Sequence, residues 1–401
     1  MKNDTLVLLT SSYPYGTGET FIENELLFLS KAFKKIIIVS SNTKDKQTRI
    51  TPANVILERY NYSLNTLDKL LAFKNMFSMN VLEEIEFTKG TLGLKWSFFK
   101  LKTTLLSLYK AQKTLQHLKH LEYKFSIINS SCVYYSYWMD DNAIALSLSS
   151  FQKKLCRVHG WDLFFERSRE DYLPFRKQIL ENVKVFSVSE RGKLYLKEKT
   201  NFDSVQLSRL GTQTLKRNSL ALKKKNRIVS CSNVISLKRV DLIIRSLARI
   251  DSLDIEWVHF GDGPLLNEMK NLAKEMDLNA VFKGNVLNEE ILNYLQNTSI
   301  DLFINLSTTE GIPVSIMEAF SCGIPAIATN VGGTSELVNN VNGILLEENP
   351  SEIHISQKIN EFFLSHEEEI MVKREAAYNT WNEKFNAEKN YTEFAEIISN
   401  L

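Results

Sequence analysis

Short runs of apolar residues recur along the chain and are separated by stretches with helical spacing. The runs are rich in valine, isoleucine, leucine and phenylalanine and do not alternate with polar residues, which is typical of strands buried on both faces. Amphipathic patterns such as ETFIENELLFLSKAF, residues 19–33, predict the intervening helices. This order indicates an α/β fold with mainly parallel sheets. The predicted strands are residues 5–9, 35–40, 125–131, 184–189, 227–232, 255–261 and 300–307.

The rhythm of strands and helices weakens between residues 207 and 226, where charged residues replace the apolar runs. We place a domain boundary there, because each half is long enough to bury its own core. The prediction is two doubly wound, Rossmann-like domains, residues 1–207 and 208–385, followed by a helix over residues 386–401. Ligands are expected where loops at the carboxyl ends of the strands face each other across a cleft.

The composition is that of an ordinary globular protein. Lysine and arginine number 49 against 47 acidic residues, a net charge of +2 that gives no global reason to expect a nucleic acid partner. The N-terminus lacks the apolar core of a signal peptide, and no run approaches the length of a membrane span. We therefore expect a cytoplasmic protein. Four cysteines without metal-site spacing are predicted to be buried thiols: Cys132, Cys156, Cys231 and Cys322.

The segment EGIPVSIMEAFSCG, residues 310–323, carries the most chemical information. It follows a predicted strand and reads as a turn and then a helix closed by a glycine. Free backbone amides at the start of such a helix suit a diphosphate, and Gly311 allows close backbone approach. Glu318, inside the helix, could accept hydrogen bonds from ribose hydroxyls. Two glutamates eight residues apart would alone indicate only a solvated helix face, so the surrounding residues decide.

At these residues the chain closely resembles the retaining glycosyltransferases of family 4, the group 1 glycosyltransferases, which have the GT-B fold. Glu310 and Glu318 match the E-x7-E motif of that family. The resemblance implies that Glu318 binds the donor ribose and that Glu310 lies near the transferred sugar. It also implies a C-terminal helix that crosses back to the first domain. The intervening residues would meet sugar hydroxyls and phosphate: Gly311, Ile312, Pro313, Val314 and Ser315.

A second segment, RIVSCSNVISLKRVDLII, residues 227–244, resembles the first strand and diphosphate loop of the family's C-terminal domain. Lys238 stands in the position of the phosphate-binding lysine, where a point charge would neutralise the diphosphate leaving group. The arginine that often precedes this lysine by five residues is Asn233 here. The resemblance therefore implies donor contact by Lys238 and leaves one of the two usual cations absent at Asn233.

Three further segments fit the same resemblance. Gly16-Thr17-Gly18 follows the first strand and resembles the loop that approaches donor phosphate and acceptor; it lacks the GxGxxG spacing of a nicotinamide dinucleotide site. His159, in RVHGWD, matches a histidine that hydrogen-bonds the donor sugar from across the cleft. The turn HFGDGP, residues 259–264, and the segment VFKGNV, residues 281–286, resemble donor-side turns and equally suit purely structural ones.

A basic stretch spans residues 89–124, where eight lysines oppose one acid and the local net charge is 8 minus 1, or +7. Its apolar residues follow helical spacing. Two interpretations are open: an amphipathic segment lying on an anionic membrane, or an apolar stripe in the core with solvated lysines. We slightly favour the membrane, because members of the family that extend lipid-linked glycans commonly have a basic N-terminal surface. The stripe consists of Leu94, Phe98, Leu101, Leu105 and Leu108.

The sequence thus predicts a retaining hexosyltransferase that uses a UDP- or GDP-sugar and transfers the sugar to a hydroxyl of a lipid-linked or cell-surface glycan. His159 and Glu310 are the predicted catalytic residues, and no cofactor is expected. Asp140 and Asp141 lack D-x-D spacing, so we predict no metal site and expect this pair at a turn or helix start. The main alternative is a non-catalytic nucleotide-sugar-binding partner in glycan assembly. A nucleotide-sugar epimerase of the same fold is a third and weaker reading.

Overall fold

The computed structural model describes residues 3–16, 18–42, 44–60, 63–213, 216–218 and 226–401. The chain divides into two compact units. Unit 1 comprises Met1–Arg209 with Glu388–Leu401, and unit 2 comprises Leu210–Ala387. The sequence-based boundaries were after residues 207 and 385. Among the described residues, no helix combines the length and the apolar character needed to cross a bilayer.

Unit 1 is built on a seven-stranded parallel sheet in the order β3-β2-β1-β4-β5-β6-β7. Its strands are β1 (Thr5–Thr10), β2 (Lys35–Ser40), β3 (Val55–Arg59), β4 (Cys132–Ser136), β5 (Lys154–Val158), β6 (Lys184–Ser187) and β7 (Gln206–Leu207). Its helices are α1 (Phe21–Ala32), α2 (Thr66–Ala72), α3 (Met79–Gly90), α4 (Phe98–Lys124), α5 (Asp141–Ser147), α6 (Arg176–Asn182) and α7 (Glu190–Thr200).

Unit 2 is built on a six-stranded parallel sheet in the order β10-β9-β8-β11-β12-β13. Its strands are β8 (Arg227–Cys231), β9 (Glu256–Phe260), β10 (Ala280–Gly284), β11 (Leu302–Asn305), β12 (Ala326–Thr329) and β13 (Gly343–Leu346). The helices are α8 (Val240–Leu247), α9 (Leu266–Glu275), α10 (Asn288–Asn297), α11 (Val314–Ser321), α12 (Thr334–Leu337), α13 (Glu352–Leu364) and α14 (Glu367–Lys384), and the chain ends with α15 (Ala387–Ser399).

Both sheets are covered on both faces, as the non-alternating apolar runs predicted. In β2, Ile37 packs into one hydrophobic core, while Ile36 and Ile38 pack into the core on the opposite face. All three side chains are fully buried. Because both sheets are parallel and reverse their strand order at one point, the doubly wound α/β fold predicted from sequence is confirmed.

The strand predicted over residues 125–131 is wrong. These residues lead from the end of α4 to β4, which begins only at Cys132. Ser126 has a φ of 51°, a left-handed conformation that extended strands do not contain. The side chains of Phe125 and Ile127 nevertheless pack against the core of unit 1. The apolar run therefore reports burial of a connecting segment and not a sheet strand.

Most of the apolar stripe of residues 89–124 faces the protein core, so the stripe itself does not form a membrane-facing surface. Leu105 and Leu108 are buried in α4, and Leu101 packs against the same core. Phe98 is the exception, with 73% of its surface exposed. Several lysines are engaged in ion pairs: Lys100 with Glu170, Lys110 with Asp141 and Lys124 with Glu58.

The helix predicted over residues 386–401 corresponds to α15, which Phe385 and Asn386 separate from α14. The apolar face of α15 packs on the sheet of unit 1 through Phe394, Ala395 and Ile398, which join a core that includes Leu6 and Leu8 of β1. This packing matches the crossing C-terminal helix that the resemblance implied.

A buried ion pair lies beneath α15. Arg157 of β5 donates to Glu25 of α1, and both side chains are essentially inaccessible to water. Tyr135 of β4 donates to the same carboxylate at 3.0 Å. The guanidinium of Arg157 lies 4.0 Å from the centre of the Phe394 ring in α15. Burial raises the pKa of Glu25, and the charge of Arg157 opposes this rise. Helix, sheet and C-terminal segment are thus joined through one charged cluster.

Candidate functional site

The loops that follow β8, β9 and β11 are bonded to one another at the carboxyl edge of the unit 2 sheet. The amide of Val234 donates to the carbonyl of Asp262, and the amide of Thr308 donates to the carbonyl of Leu237, both at 2.9 Å. The strand order reverses between β8 and β11, where open α/β sheets bind their ligands. The two sequence segments that resemble donor-binding motifs therefore lie at the same point of the fold.

Gly332, in the loop after β12, packs directly against the backbone of Glu310. It has a φ of +53°, and a Cβ at this position would lie 1.7 Å from the carbonyl oxygen of Glu310. The amide of Gly333 also donates to the carbonyl of Gly311 at 2.9 Å. The glycine pair thereby lets the β12 loop hold the turn that carries Glu310, a close approach that other residues would block.

One carboxylate oxygen of Glu310 accepts three hydrogen bonds. The donors to Oε1 are Lys238 Nζ at 2.6 Å, Ser307 Oγ at 2.6 Å and Asn305 Nδ2 at 3.3 Å. Lys238 and Glu310 form an ion pair whose side chains are 22% and 12% exposed. The predicted phosphate-binding cation and the predicted sugar-binding carboxylate are thus in direct contact.

Two of these donors, Asn305 and Ser307, escaped the sequence analysis. Both belong to the run IDLFINLS, residues 300–307, whose apolar pattern predicts only a buried strand. They are buried polar residues at its carboxyl end, and the Asn305 side chain also accepts from the Ser307 amide at 3.1 Å. Polar residues that interrupt an apolar run just before a motif glutamate were the available signal.

Glu318 lies on α11 and is buried, with 8% of its surface exposed. Burial raises the pKa of its carboxyl group to about 7, and a hydrogen bond from Asn288 partly opposes the rise. Asn288 Nδ2 donates to Glu318 Oε1 at 3.3 Å from the first residue of α10. Asn288 also escaped the sequence analysis, because nothing in its local pattern shows a partner 30 residues later.

Two thiols, Cys231 and Cys322, interact electrostatically with Glu318. Burial raises the pKa of Cys231 and of Cys322 to about 12, so both remain neutral at physiological pH. Lys238 acts electrostatically on Cys231. A buried carboxyl group with one amide donor and neutral thiols around it suits a ligand that brings hydroxyl donors.

The start of α11 has no side-chain cap among the described residues. Val314 is the first residue of the helix, and Pro313 precedes it. Ile312 and Pro313 are buried, whereas Gly311, Val314 and Ser315 are partly exposed. Asn233 lies with its side chain exposed in the β8 loop. The absence of a side-chain cap is compatible with an anion at the helix start, and binding of a diphosphate there stays a prediction.

His159 lies in unit 1, in the loop after β5. It is only 7% exposed, and its ring stacks on Tyr137 with 4.9 Å between ring centres and lies 4.5 Å from the ring of Trp138. Within the described part of the chain neither ring nitrogen has a hydrogen-bond partner. Asp162 holds the loop by accepting from the amides of His159 and Met139, each at 2.9 Å. The aromatic stacking and the Asp162 contacts fix the ring, and its Nδ1 lies 3.9 Å from Asp162 Oδ2, beyond hydrogen-bond distance.

Gly16 and Gly18 flank Thr17, which lies outside the described residues. Gly16 has a φ of +64°, and its carbonyl accepts a hydrogen bond from Arg49 at 2.7 Å. A Cβ on Gly18 would lie 2.7 Å from Ser12 Oγ. Gly16 thus lies against the segment that carries Arg49, and Gly18 lies against Ser12 of its own loop. Their predicted contact with donor phosphate stays a prediction.

Asp140 and Asp141 begin α5. Asp140 caps the helix by accepting from the Asn142 amide at 2.9 Å, and Asp141 pairs with Lys110. Burial, followed by the charge of Asp141, raises the pKa of Asp140 to about 7. The described residues contain no group of three or more histidine, cysteine or acidic side chains placed to hold a metal ion.

Comparison with known proteins adds family and fold. Residues 212–379 match the family described as Glycosyl transferases group 1. Protein CapJ of Staphylococcus aureus is 29% identical over 179 residues, which are 42% of this chain and 44% of CapJ. The UDP-Gal:alpha-D-GlcNAc-diphosphoundecaprenol alpha-1,3-galactosyltransferase of Escherichia coli is 37% identical over 98 residues, 24% of this chain and 25% of that protein. The chain thus spans half or less of the length of these curated relatives.

The likeness to solved structures covers both units. The crystal structure of Anabaena Alr3699/HepE in complex with UDP and glucose matches 99% of this chain and all of HepE, with a TM-score of 0.65 and 15% identity. At this identity the match shows the fold alone, and it confirms the predicted GT-B architecture. The family match covers β8 to β13 and the Glu310 to Glu318 segment. The chain therefore carries a group 1 glycosyl transferase domain in unit 2, as the resemblance predicted.

Proposed function

We propose that the protein transfers a sugar from a nucleoside diphosphate sugar to a hydroxyl of a lipid-linked or cell-surface glycan, with retention of anomeric configuration. The observation that carries this proposal is the contact of Lys238 with Glu310 beside the start of α11. It brings a cation, helix-start amides and a carboxylate to one edge of the sheet. The names of two similar proteins add support, one using UDP-Gal and a diphosphoundecaprenol acceptor and the other binding UDP with glucose.

In the proposed reaction Lys238 and the amides at the start of α11 stabilise the departing diphosphate, with no resident metal. Glu318 accepts hydrogen bonds from the ribose hydroxyls. Glu310 and His159 hold hydroxyls of the transferred sugar. The bond from the sugar C1 to the diphosphate oxygen breaks, and the acceptor oxygen bonds to C1 on the same face. The acceptor proton passes to the departing diphosphate, so no protein nucleophile is needed.

A donor screen tests the proposal. UDP or GDP is expected to raise the Tm of the protein, because a ligand that binds the folded state stabilises it. The matching nucleotide sugar is expected to release nucleoside diphosphate, faster with a glycan acceptor and equally fast in EDTA. Proton NMR of the product reports the anomeric configuration. Failure of every nucleotide to bind, or an inverted product, contradicts the proposal.

The alternative is a non-catalytic partner that binds a nucleotide sugar. It is based on Asn233, which occupies the position of the second cation often present in the family that the chain resembles. It predicts that the donor binds and is never turned over, with or without acceptor. An Asn233→Arg variant separates the cases further. If the wild type already turns over the donor, Asn233→Arg should change the turnover rate only modestly. If the wild type is inactive because it lacks this cation, Asn233→Arg should gain activity.

Nucleotide binding is expected to depend on pH through Glu318. Its pKa is about 7, and ribose hydroxyls form stronger hydrogen bonds with an ionised carboxylate than with a protonated carboxyl group, so UDP affinity should rise as pH increases through 7 and weaken below it. Glu318→Gln should remove this component. The terminal phosphate of the nucleotide ionises at about pH 6. This ionisation contributes equally to binding by the wild type and by Glu318→Gln, so the difference between their pH profiles reports Glu318. Isothermal titration of UDP from about pH 5.5 to about pH 8.5 measures this difference, because that range brackets both groups. Identical pH profiles for the two proteins would contradict the ribose role.

We also propose membrane contact through residues 89–124. Because the apolar stripe is mostly buried, the proposal depends on the positive charge of the exposed lysines. The exposed residues in this stretch include Phe98, Tyr123 and the lysines at 89, 95, 102, 119 and 124. Each lysine near an anionic surface contributes about 1 kcal/mol. Cosedimentation should show binding to phosphatidylglycerol vesicles that is lost at about 0.5 M salt, with none to phosphatidylcholine. Equal binding to both lipids would contradict it.

A further inference from the structure

The carboxylate of Glu19 is enclosed by hydrogen-bond donors of the loop after β1. Oε2 accepts from the amides of Ser12 and Tyr13, each at 2.6 Å, and from Ser12 Oγ at 3.1 Å. Oε1 accepts from the amide of Ser11 at 3.0 Å and from the indole nitrogen of Trp138. Three successive backbone amides and an indole thus converge on one side-chain anion.

Successive amides that point to one spot form an anion-binding concavity, which proteins commonly use for phosphate or carboxylate ligands. Here the occupant is a side chain of the same chain. Charge-assisted hydrogen bonds of this kind are about twice as strong as neutral ones. The Glu19 carboxylate therefore stabilises the loop after β1, which a glutamate at the surface just before a helix would not ordinarily do.

The backbone at Glu19 carries strain that supports this view. Its φ is 56°, a left-handed conformation that costs a residue with a Cβ about 1 kcal/mol or more. Such a conformation persists only where surrounding contacts enforce it. The residue starts the connection into α1, and the glycine before it lies against Ser12. The strained turn is what aims the carboxylate back at the loop.

Trp138 connects this cluster with His159. The indole contacts both residues. Its nitrogen donates to Glu19, and its ring lies 4.5 Å from the ring of His159. Trp138 is 8% exposed. It follows β4, whereas Glu19 follows β1, and these strands are neighbours in the sheet. One carboxylate thus joins the loop that carries Gly16 to the aromatic ring on which His159 packs.

We propose that Glu19 is a positioning residue: its carboxylate serves as the internal anion that holds the β1 loop and, through Trp138, the His159 ring in place. The claim about the loop depends only on unit 1. Its consequence for turnover rests on the proposed function, in which His159 holds the transferred sugar.

Small-anion rescue tests this proposal. Glu19→Ala leaves the three amides and the indole without their acceptor, so we expect a lower Tm and a fall in kcat of about 10-fold to 100-fold. Formate fits the vacated position and should restore part of both, while chloride at the same ionic strength should not. Glu23→Ala removes an exposed carboxylate in the first turn of α1, the helix that Glu19 precedes, and should show neither loss nor rescue.

Glu19→Gln separates positioning from simple stability and serves if the alanine variant does not fold. Glutamine keeps the size and one acceptor oxygen but turns an NH2 group toward amide donors. We expect kcat per folded molecule to fall more than the donor KM rises. An unchanged kcat per folded molecule, or equal effects of formate and chloride on Glu19→Ala, overturns the proposal. If the wild type turns over no donor, the proposed function fails, and the formate effect on Tm still decides the claim about the loop.

Discussion

Replacement of Glu310 by glutamine is expected to lower kcat about 100-fold to 1000-fold while UDP binds at least as tightly as it does to the wild type. The carboxylate now holds Lys238 at 2.6 Å. Glutamine has no charge, so it can no longer hold the ammonium group as an ion pair, and Lys238 becomes freer to meet the diphosphate. Loss of the carboxylate removes the charged acceptor for the sugar hydroxyls. Catalysis and nucleotide affinity should therefore change in different ways.

Steady-state kinetics and isothermal titration with UDP measure the two effects. Glu275→Gln makes the same chemical change on the exposed surface of α9 and should leave both quantities unchanged. Ser307→Ala removes one donor to the same oxygen and should lower kcat by a smaller factor, because the lysine and the asparagine remain. Unchanged turnover in Glu310→Gln would remove this residue from the mechanism.

Replacement of Arg157 by methionine is expected to lower the free energy of unfolding by about 3–5 kcal/mol, the largest stability effect that we predict. The substitution leaves the Glu25 carboxylate buried without its cation and removes the guanidinium from the Phe394 ring. A buried, unpaired carboxylate is costly because it has lost its hydration. Since Phe394 belongs to α15, amide exchange over residues 388–401 should accelerate together with the loss of stability.

The double variant Glu25→Leu with Arg157→Met provides the matched control for this prediction. Replacing both charges by apolar groups removes the unpaired ion, so the double variant should be more stable than Arg157→Met alone. Arg191→Met disturbs an exposed pair with Glu198 and should cost about 0–1 kcal/mol. Urea unfolding, monitored by fluorescence, measures the free energy of unfolding of each variant, and amide exchange measures the opening of residues 388–401. A stability loss no larger than that of Arg191→Met would contradict the structural role of the buried pair.

Local pattern was sufficient for much of the fold. The apolar run of β2 predicted a strand with both faces buried, and Ile36 and Ile37 do lie in opposite cores. The same reasoning failed at residues 125–131, because an apolar segment that connects α4 to β4 is buried without joining the sheet. It also failed for Leu105 and Leu108, since helical spacing shows that a helix has an apolar face and not what covers that face.

The sequence by itself determined the α/β class, the resemblance of residues 212–379 to group 1 glycosyl transferases and the glutamate pair Glu310 and Glu318, because strand rhythm and motif spacing are properties of neighbouring residues. Only the tertiary structure showed that Lys238 contacts Glu310 across 72 positions and that Glu19 meets Trp138 across 119. Side chains so far apart become partners because parallel strands bring their carboxyl ends to one edge of a sheet. Which loop residues then face each other depends on strand order and packing, which no local pattern contains.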